Sequence, residues 1–262
     1  MDEGKSNTQQ KPPAKNLTEV VIAIKGLKKT FGEKAVLKGI NLELKRSENV
    51  VVLGRSGVGK SVAIQCIVGL LKPDGGSLKV FGDEVAGMTD GELKKLRIKT
   101  GFLFQGGALY DSMTVRENLE FPLTRVLKLK DQREIDKRVE DALDSVGLLE
   151  AIDKLPSDLS GGMRKRAGLA RTIIVNPEII LYDEPTTGLD PITSREISYL
   201  ILRIQKKYKT SSIIITHDME CARIAADRIL IMDDGEFIAE GSFKGLHKSK
   251  NKIVEAFFKD VL

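Results

Sequence analysis

Short runs of mostly apolar residues alternate with amphipathic segments along this chain. The runs span residues 49–53, 178–182 and 211–216. Runs of this length are typical of strands that are buried on both faces of a parallel sheet. Apolar residues at helical spacing fill the segments 62–71, 164–175 and 193–208. The alternation predicts an α/β fold with a parallel central sheet.

The N-terminal third has a different pattern. Residues 19–24 and 39–44 alternate apolar and polar side chains on either side of a turn-like segment, Lys28–Glu33. A period of two predicts half-buried strands, and we expect them to form an antiparallel piece beside the parallel sheet. A strand at 78–81, a helix at 89–98 capped by Thr89 or Asp90, and a strand at 101–105 are predicted next.

The middle of the chain lacks a strand pattern. Residues 114–155 are amphipathic at helical spacing, and their apolar positions include Val139, Leu143, Val146 and Leu149. An all-helical insertion in an α/β chain predicts a lobe that can move relative to the core.

The C-terminal part is predicted to contain a hairpin and a final helix. Residues 229–232 and 237–240 flank the turn signal Asp233-Asp234-Gly235. The last helix, at about 251–262, carries one broad apolar face made of Ile253, Val254, Phe257, Phe258, Val261 and Leu262. This face could pack on the chain's own core or contact a second copy, and the sequence leaves both open.

A glycine-rich segment stands between the run at 49–53 and its helix. It consists of Gly54, Arg55, Ser56, Gly57, Val58, Gly59, Lys60 and Ser61, which fits G-x-x-x-x-G-K-[ST]. The glycines let backbone N–H groups turn toward a phosphate, and the helix that begins near Lys60 adds its positive end. Lys60 would serve the β- and γ-phosphates, and Ser61 would offer a hydroxyl to Mg²⁺. The strand–loop–helix context favours a nucleoside triphosphate site over a plain glycine turn.

Polar residues end two of the apolar runs. Asp183 and Glu184 follow the run at 178–182, and His217 follows the run at 211–216. In open α/β sheets, ligands bind at the carboxyl ends of the strands. Asp183 would hold the metal, and Glu184 could polarise a water for attack on the γ-phosphate. His217 alone could be a capping histidine, but the shared edge favours a place near the γ-phosphate.

Three further positions carry weaker local signals. Phe31 lies in the turn-like segment, where an aromatic side chain is more often exposed or core than stacked on adenine. Gln105 ends a strand before two glycines, where a functional role and an ordinary loop role are equally open. Ser160 precedes Gly161 and Gly162 as a helix N-cap, which is either a plain cap or a second phosphate nest.

Composition narrows the class of protein. With 262 residues and 41% hydrophobic content, the chain can bury an α/β core with a smaller subdomain. Its net charge of +5 comes from 42 basic and 37 acidic residues that are mixed throughout, and aromatics are 5%, so nucleic-acid binding is not expected. Cys66 and Cys221 lie far apart, which predicts two buried free thiols.

The sequence offers no targeting signal. No apolar run approaches the roughly 18 residues of a membrane span, and the N-terminus is polar, so we expect a cytosolic protein without a secretory signal. Residues 1–18 are polar, contain proline and lack periodicity. They are expected to form a disordered, solvated tail, with contact between its lysines and anionic lipid as the alternative.

Taken together, the motifs resemble the nucleotide-binding subunit of ATP-binding cassette (ABC) transporters over residues 19–242. Five motifs stand in the family's order: Walker A at Gly54–Ser61, the Q-loop at Gln105, the signature loop at Leu159–Met163, Walker B at Ile180–Glu184 and the switch histidine at His217. In addition, Asp190, placed to cap the next helix, matches the D-loop, and Phe31 matches the adenine-stacking aromatic.

The resemblance implies a P-loop NTPase (RecA-like) core with an antiparallel β subdomain, an α-helical subdomain inserted at about 106–165, and a C-terminal helical extension at 243–262. It implies an ATPase that uses ATP and Mg²⁺, with Glu184 and His217 in catalysis and Ser61, Gln105 and Asp183 at the metal. Two copies would form a head-to-tail homodimer in which the signature loop of one closes the nucleotide site of the other. Closure would drive an integral membrane permease.

A finer resemblance concerns the transported molecule. The segment FQGGALYDSMTVRENLEFPL at 104–123, with LSGGMRKRAGLAR and the terminal IVEAFF, resembles the ATPase of MCE-type, Mla-like systems, which move phospholipid between bacterial inner and outer membranes. This implies an MCE lipid-binding partner and a peripheral position on the cytoplasmic face of the inner membrane. In that family the C-terminal extension can contact the neighbouring subunit.

Two other functions stay open. An osmoprotectant or amino-acid importer is favoured by the segment SGGMR, but not by the segment after Gln105. Met163 of this segment replaces the commonest glutamine of the signature loop and does not by itself choose a subfamily. A soluble cassette ATPase of translation or DNA repair would usually carry a second cassette, a coiled-coil insertion or a zinc module. The sequence contains none of these.

Overall fold

A six-stranded sheet forms the centre of the protein in the computed structural model, which describes residues 18–259. Its strands are β3 (Asn49–Leu53), β6 (Thr100–Leu103), β7 (Ile179–Asp183), β8 (Ser211–Thr216), β9 (Arg228–Asp233) and β10 (Glu236–Gly241). The order across the sheet is β10-β9-β3-β8-β7-β6. All neighbours are parallel except β10, which forms the predicted hairpin with β9. The predicted parallel α/β core is confirmed.

A second, antiparallel sheet covers one side. It contains β1 (Val20–Phe31), β2 (Lys34–Lys45), β4 (Gly75–Val80) and β5 (Asp83–Glu84) in the order β2-β1-β4-β5. The antiparallel piece is confirmed, but the predicted turn-like segment 28–33 is wrong because both strands are longer. The register shifts between Ile24 and Lys28, where Gly26 has a φ of 59°. This irregularity ends the period-two alternation although the pairing continues.

Helices cover the remaining faces. They are α1 (Lys60–Ile67), α2 (Asp90–Lys99), α3 (Val115–Phe121), α4 (Gln132–Val146), α5 (Gly161–Ile173), α6 (Pro191–Tyr208), α7 (Met219–Ala225), α8 (Phe243–Leu246) and α9 (Lys252–Phe258). A π-helical turn, Pro122–Val126, continues α3. Between β6 and α5 the described chain contains helices and no strand, as predicted for the inserted lobe. Within residues 18–259, no helix combines the length and the apolar character that crossing a membrane requires.

The central sheet separates two hydrophobic cores. Val51 and Leu53 of β3 face the core that is shared with the helical lobe, whereas Val50 and Val52 face the core that is shared with the antiparallel sheet and α1. Successive side chains of a strand point to opposite faces, so covering both faces requires apolar residues at every position. This explains why the strand runs of the sequence are mostly apolar.

The apolar face of the helical lobe is shorter than the sequence pattern predicts. Val139, Leu143 and Val146 of α4 are fully buried, but Leu149 is 46% exposed. The helix ends at Val146, and Gly147 adopts a left-handed conformation with φ 63°. The chain therefore turns away before Leu149, and the prediction that Leu149 shares the α4 face is wrong.

The C-terminal helix packs on its own chain. Val254 and Phe258 of α9 belong to the larger core, and the Phe258 ring lies edge-on against Phe243 at a centroid distance of 5.3 Å. Ile253 is 44% exposed, and the predicted face residues Val261 and Leu262 lie outside the described residues, as does the predicted tail up to residue 17. Contact between this helix and a second copy stays a prediction.

Both cysteines are free and buried, as predicted. Cys66 lies in α1, and burial raises the pKa of its thiol to about 11. A thiol with such a pKa is protonated at neutral pH and is a weak nucleophile. Cys66 therefore acts as a small core side chain.

The contrast between Leu143 and Leu149 is testable. Leu143→Ala should lower the free energy of unfolding by about 2–5 kcal/mol because it leaves a cavity in the lobe. Leu149→Ala, the matched control, should change it by about 0.5 kcal/mol or less. Urea unfolding of the two variants measures both effects, and equal losses would contradict the boundary at Gly147.

Candidate active site

Four loops meet at the carboxyl edge of the central sheet. The glycine loop follows β3, Gln105 follows β6, Glu184 follows β7 and His217 follows β8. These four strands are neighbours and parallel, so the residues that follow them lie along one edge. There they border a cleft of about 440 Å³ that also includes Phe31 and Val36. The structure thus brings together groups that are up to 186 positions apart in the sequence, from Phe31 to His217.

The glycine loop leaves room for a ligand on one side and is tightly packed on the other. A Cβ on Gly57, whose φ is 83°, would meet no atom within 4 Å. A Cβ on Gly59, whose φ is 110°, would lie 2.9 Å from the Val36 carbonyl oxygen. Gly59 is the N-cap of α1, and the first turn of α1 contains no acidic residue. The positive end of α1 therefore meets the open side of the loop, which suits a phosphate.

Lys60 is held at the centre of the cleft. Its side chain is 5% exposed, and Nζ donates to the carbonyl oxygens of Gly54 at 2.7 Å and Arg55 at 3.0 Å. Nζ also lies 3.4 Å from Oε1 of Glu184. The ammonium is therefore fixed between the loop and the carboxylates, where added negative charge would be stabilised.

Ser61 borders the cleft, and its contact with Asp183 makes this side of the cleft suitable for a metal. The Ser61 hydroxyl donates to Oδ1 of Asp183 at 3.1 Å. Burial raises the pKa of Asp183, and the neighbouring Glu184 acts in the same direction, so the carboxylate would gain from a cation. With the Gln105 amide, these groups supply fewer oxygens than the six that Mg²⁺ takes. Ser61, Gln105 and Asp183 would therefore suit a Mg²⁺ ion that also has phosphate oxygens or water to bind.

Glu184 has an unusual backbone conformation. Its φ is 49°, in the left-handed region that costs a residue with a side chain about 1–3 kcal/mol. Its N–H donates to the Ile215 carbonyl oxygen at 2.9 Å. The carboxylate lies 2.8 Å from Nδ1 of His217 and accepts from the Thr187 hydroxyl at 3.0 Å. These contacts fix a carboxylate that borders the cleft.

Phe31 lies at the rim of the cleft. It is the last residue of β1 rather than part of a turn-like segment, and it is 47% exposed. Nζ of Lys29 lies 5.4 Å from its ring centroid. An exposed ring next to a phosphate site could stack on a flat base, so the predicted adenine contact stays a prediction.

A second group of predicted residues lies outside the cleft. Ser160 caps α5 and accepts from the Met163 N–H at 3.2 Å. Asp190 caps α6, and Oδ1 accepts from the N–H groups of Ile192 and Thr193 at 3.0 Å. The two caps are adjacent in space, since a Cβ on Gly161 would lie 3.3 Å from Leu189 and one on Gly162 would lie 2.6 Å from Thr193. None of these residues borders the cleft of the same chain.

Two residues near the cleft have no role in the sequence prediction. Thr187 borders the cleft and donates to Glu184. Lys165 of α5 is 7% exposed, and Nζ donates to the carbonyl oxygens of Gln105 and, at 3.3 Å, of Glu184. Lysine at a helical position usually faces solvent. The available signal was its helical register, because Lys165 lies three residues after Gly162 and four before Leu169, and both of these residues are buried.

Solved ABC cassettes have the same fold. The dimeric post-hydrolysis structure of the ATP-binding cassette MJ0796, bound to ADP and Pi, superposes with a TM-score of 0.78 at 33% identity and covers 85% of this chain and 98% of that one. The cbiO1 subunit from Clostridium perfringens, part of the transporter complex cbiONQ, superposes with a TM-score of 0.81 at 30% identity and covers 92% and 96%.

The names of similar curated proteins refer to different kinds of molecule. Protein TRIGALACTOSYLDIACYLGLYCEROL 3 of Arabidopsis thaliana is 39% identical over 92% of this chain and 74% of its own length. The probable ribonucleotide transport ATP-binding protein mkl of Mycobacterium leprae is 38% identical over 91% of this chain and 68% of its own length. The methionine import protein MetN of Rhizobium johnstonii is 38% identical over 86% of this chain, which spans 61% of that relative.

The model of the family described as ABC transporter matches residues 37–187, more than half of the chain. The match runs from β2 to Thr187 and includes the glycine loop, Gln105, Ser160 and Glu184. Together with the cleft geometry and the solved cassettes, it assigns the family. The chain belongs to the ABC transporter family, as a subunit that binds ATP with Mg²⁺ and hydrolyses it.

Proposed function

We propose specific roles for the cleft residues in ATP hydrolysis. The glycine loop and Lys60 hold the phosphates, because the loop is open on the side of the α1 N-terminus and the ammonium is already buried there. Phe31 stacks on the adenine. Ser61, Gln105 and Asp183 hold Mg²⁺, which when bound neutralises phosphate charge.

Glu184 is proposed as the general base. Its carboxylate borders the cleft beside Lys60, so it can orient a water and accept its proton. His217 and Thr187 hold this carboxylate by contacts of 2.8 Å and 3.0 Å, which limits its rotation. We infer that His217 fixes the base and senses the γ-phosphate side of the cleft.

Each chain provides two halves of different nucleotide sites. The residues of the cleft contact one nucleotide. The capped N-termini of α5 and α6 lie outside this cleft and could contact a second nucleotide; they include Ser160, Gly161, Gly162 and Asp190. A head-to-tail homodimer brings these N-termini over the phosphates that the partner holds. The dimeric state of the similar MJ0796 cassette supports this arrangement.

Substitution of Glu184 tests the chemical role. Glu184→Gln should retain ATP binding and lower kcat by about 100-fold or more, because the amide cannot accept the proton. Steady-state hydrolysis and binding of a fluorescent ATP analogue measure the two effects. The dimer should persist with ATP bound, which gel filtration detects.

Lys60→Ala is the matched comparison for this experiment. It should weaken nucleotide binding itself, because it removes the charge that is aimed at the phosphates. Unchanged hydrolysis in Glu184→Gln would exclude Glu184 as the base. Unchanged affinity in Lys60→Ala would exclude the phosphate contact.

We infer that the permease docks in a groove on the other side of Gln105. The groove has a volume of about 580 Å³ and is bordered by apolar side chains that include Leu70, Phe104 and Val126. Leu70 is 52% and Phe104 40% exposed, so the groove offers apolar surface to a partner. Lys94, Arg97 and Arg171 add positive charge to its wall. A short amphipathic helix with an acidic residue fits this surface, and the cassette would then lie peripherally on the cytoplasmic face of the membrane.

A charge in the groove should break this contact. Leu70→Glu is expected to abolish co-purification with the permease in mild detergent, because it buries a carboxylate in the interface. Leu149→Glu, at a residue of similar exposure outside the groove, is the control and should retain the permease. Melting temperatures check that both variants fold, and retention of the permease by Leu70→Glu would contradict the docking site.

The transported molecule is proposed to be a phospholipid that moves between bacterial membranes, with an MCE lipid-binding protein as a further partner. The segment 104–123, which resembles MCE-type ATPases, supplies Phe104, Ala108 and Pro122 to the groove. The residues that would recognise the partner are therefore those that carry the resemblance. The name of the Arabidopsis relative refers to a galactolipid, which also favours a lipid.

Amino-acid import is the second candidate, because MetN proteins match at a similar level of identity. Phospholipid transport and amino-acid import predict different components in the purified complex and different molecules that change its ATPase rate. The complex should co-purify with phospholipid and an MCE protein, and added phospholipid should change its ATPase rate. Recovery with a receptor for a polar solute, and an ATPase response to methionine alone, would overturn the lipid proposal.

A further inference from the structure

We propose that Lys165 is a positioning residue that holds Gln105 and Glu184 at a fixed separation during ATP hydrolysis. The side chain belongs to α5, whereas its two partners follow strands β6 and β7. Nζ donates to the main-chain carbonyl oxygen of each partner. One ammonium group thus joins α5 to the loop that contains Gln105 and to the backbone of Glu184, the proposed base.

The burial of Lys165 requires a specific reason. The residue is 7% exposed, and a buried ammonium is unfavourable unless hydrogen bonds and opposite charge compensate it. Both are present, because two carbonyl oxygens accept from Nζ and the carboxylates of Asp183 and Glu184 interact favourably with it. An apolar side chain would fill the space but make none of these contacts.

The loop after Gln105 follows the same helix face. A Cβ on Gly168 would lie 2.9 Å from the Gly107 carbonyl oxygen, so α5 and the loop are in close contact. One turn further, Nη1 of Arg171 donates to the Ala108 carbonyl oxygen at 2.5 Å, and its guanidinium lies 4.8 Å from the Tyr110 ring centroid. Lys165, Gly168 and Arg171 are spaced by three residues and form one face. The loop is therefore attached to α5 along its length.

Of these three contacts, the one from Lys165 extends to Glu184. The Glu184 carbonyl oxygen accepts from Nζ of Lys165 and, at 3.3 Å, from the Thr187 N–H. Glu184 has the left-handed backbone conformation described above, and contacts with neighbouring residues must maintain this conformation. A shift of α5 relative to the sheet would thus change the Gln105 loop and the Glu184 peptide together.

This arrangement predicts a loss of turnover without a loss of binding. Neither bond of Lys165 involves the glycine loop or Phe31, which are the proposed contacts of the nucleotide. Misplacing a catalytic group by a fraction of an ångström to 1 Å lowers rate far more than affinity. The role rests on the proposed action of Glu184, so both residues are tested together.

The decisive variant is Lys165→Met in the full chain, which preserves length and removes the donors. Its kcat for ATP should fall about 10- to 100-fold, whereas KM should stay within about twofold of the unchanged protein. Lys165→Arg keeps a cation with several donors and should be faster than Lys165→Met. Lys137→Met, at an exposed lysine of α4, is the control and should leave both constants unchanged.

Each other outcome overturns the proposal. An unchanged kcat in Lys165→Met would mean that the side chain only fills space. A raised KM at unchanged kcat would make Lys165 a nucleotide contact. A lowered melting temperature together with loss of ATP-analogue binding in both Lys165→Met and Lys165→Arg would make its role purely structural. The Glu184→Gln variant is measured in parallel. If it retains turnover, Glu184 is not the base. If it is inactive while Lys165→Met is fully active, only the proposed role of Lys165 is contradicted.

Discussion

Two ammonium groups and two carboxylates are buried together at the carboxyl edge of the central sheet. Lys60, Lys165, Asp183 and Glu184 are each no more than 9% exposed. Buried charges of this kind are tolerated only in balance, and the two signs are equal here. ATP would add several negative charges at this place, and Mg²⁺ and the α1 N-terminus supply the positive charge that offsets them. Nucleotide and metal would therefore each favour the binding of the other.

The sheet order creates this balance. The residues that follow β3, β8, β7 and β6 are separated by long stretches of chain, yet neighbouring parallel strands set their loops side by side. The strands themselves are apolar on both faces, because two cores enclose them. Charged side chains therefore appear only where these strands end. A site of high charge density at one edge is a consequence of a sheet that excludes charge elsewhere.

The sequence predicts the central sheet and the glycine loop well because both depend on local signals. A continuous apolar run specifies a buried strand, and the glycine loop specifies its own geometry. The errors occur where tertiary structure decides. A bulge near Gly26 hides the length of β1, and Gly147 removes Leu149 from the α4 face. The helical register places Lys165 on a buried face, but its hydrogen-bond partners are carbonyl groups from distant parts of the chain, which no window of sequence around Lys165 contains.

Helix α5 lies between the two surfaces through which this cassette is proposed to act. Its N-terminus carries Ser160, which would meet the nucleotide of a second copy, and its last turns carry Arg171 at the wall of the groove. With 13 residues it is about 20 Å long. Its middle face holds the Gln105 loop and reaches Glu184 through Lys165. A rigid helix with these contacts would transmit a displacement at either end to the catalytic groups, so that closure of the proposed dimer, the position of the permease and the alignment of the base would change together.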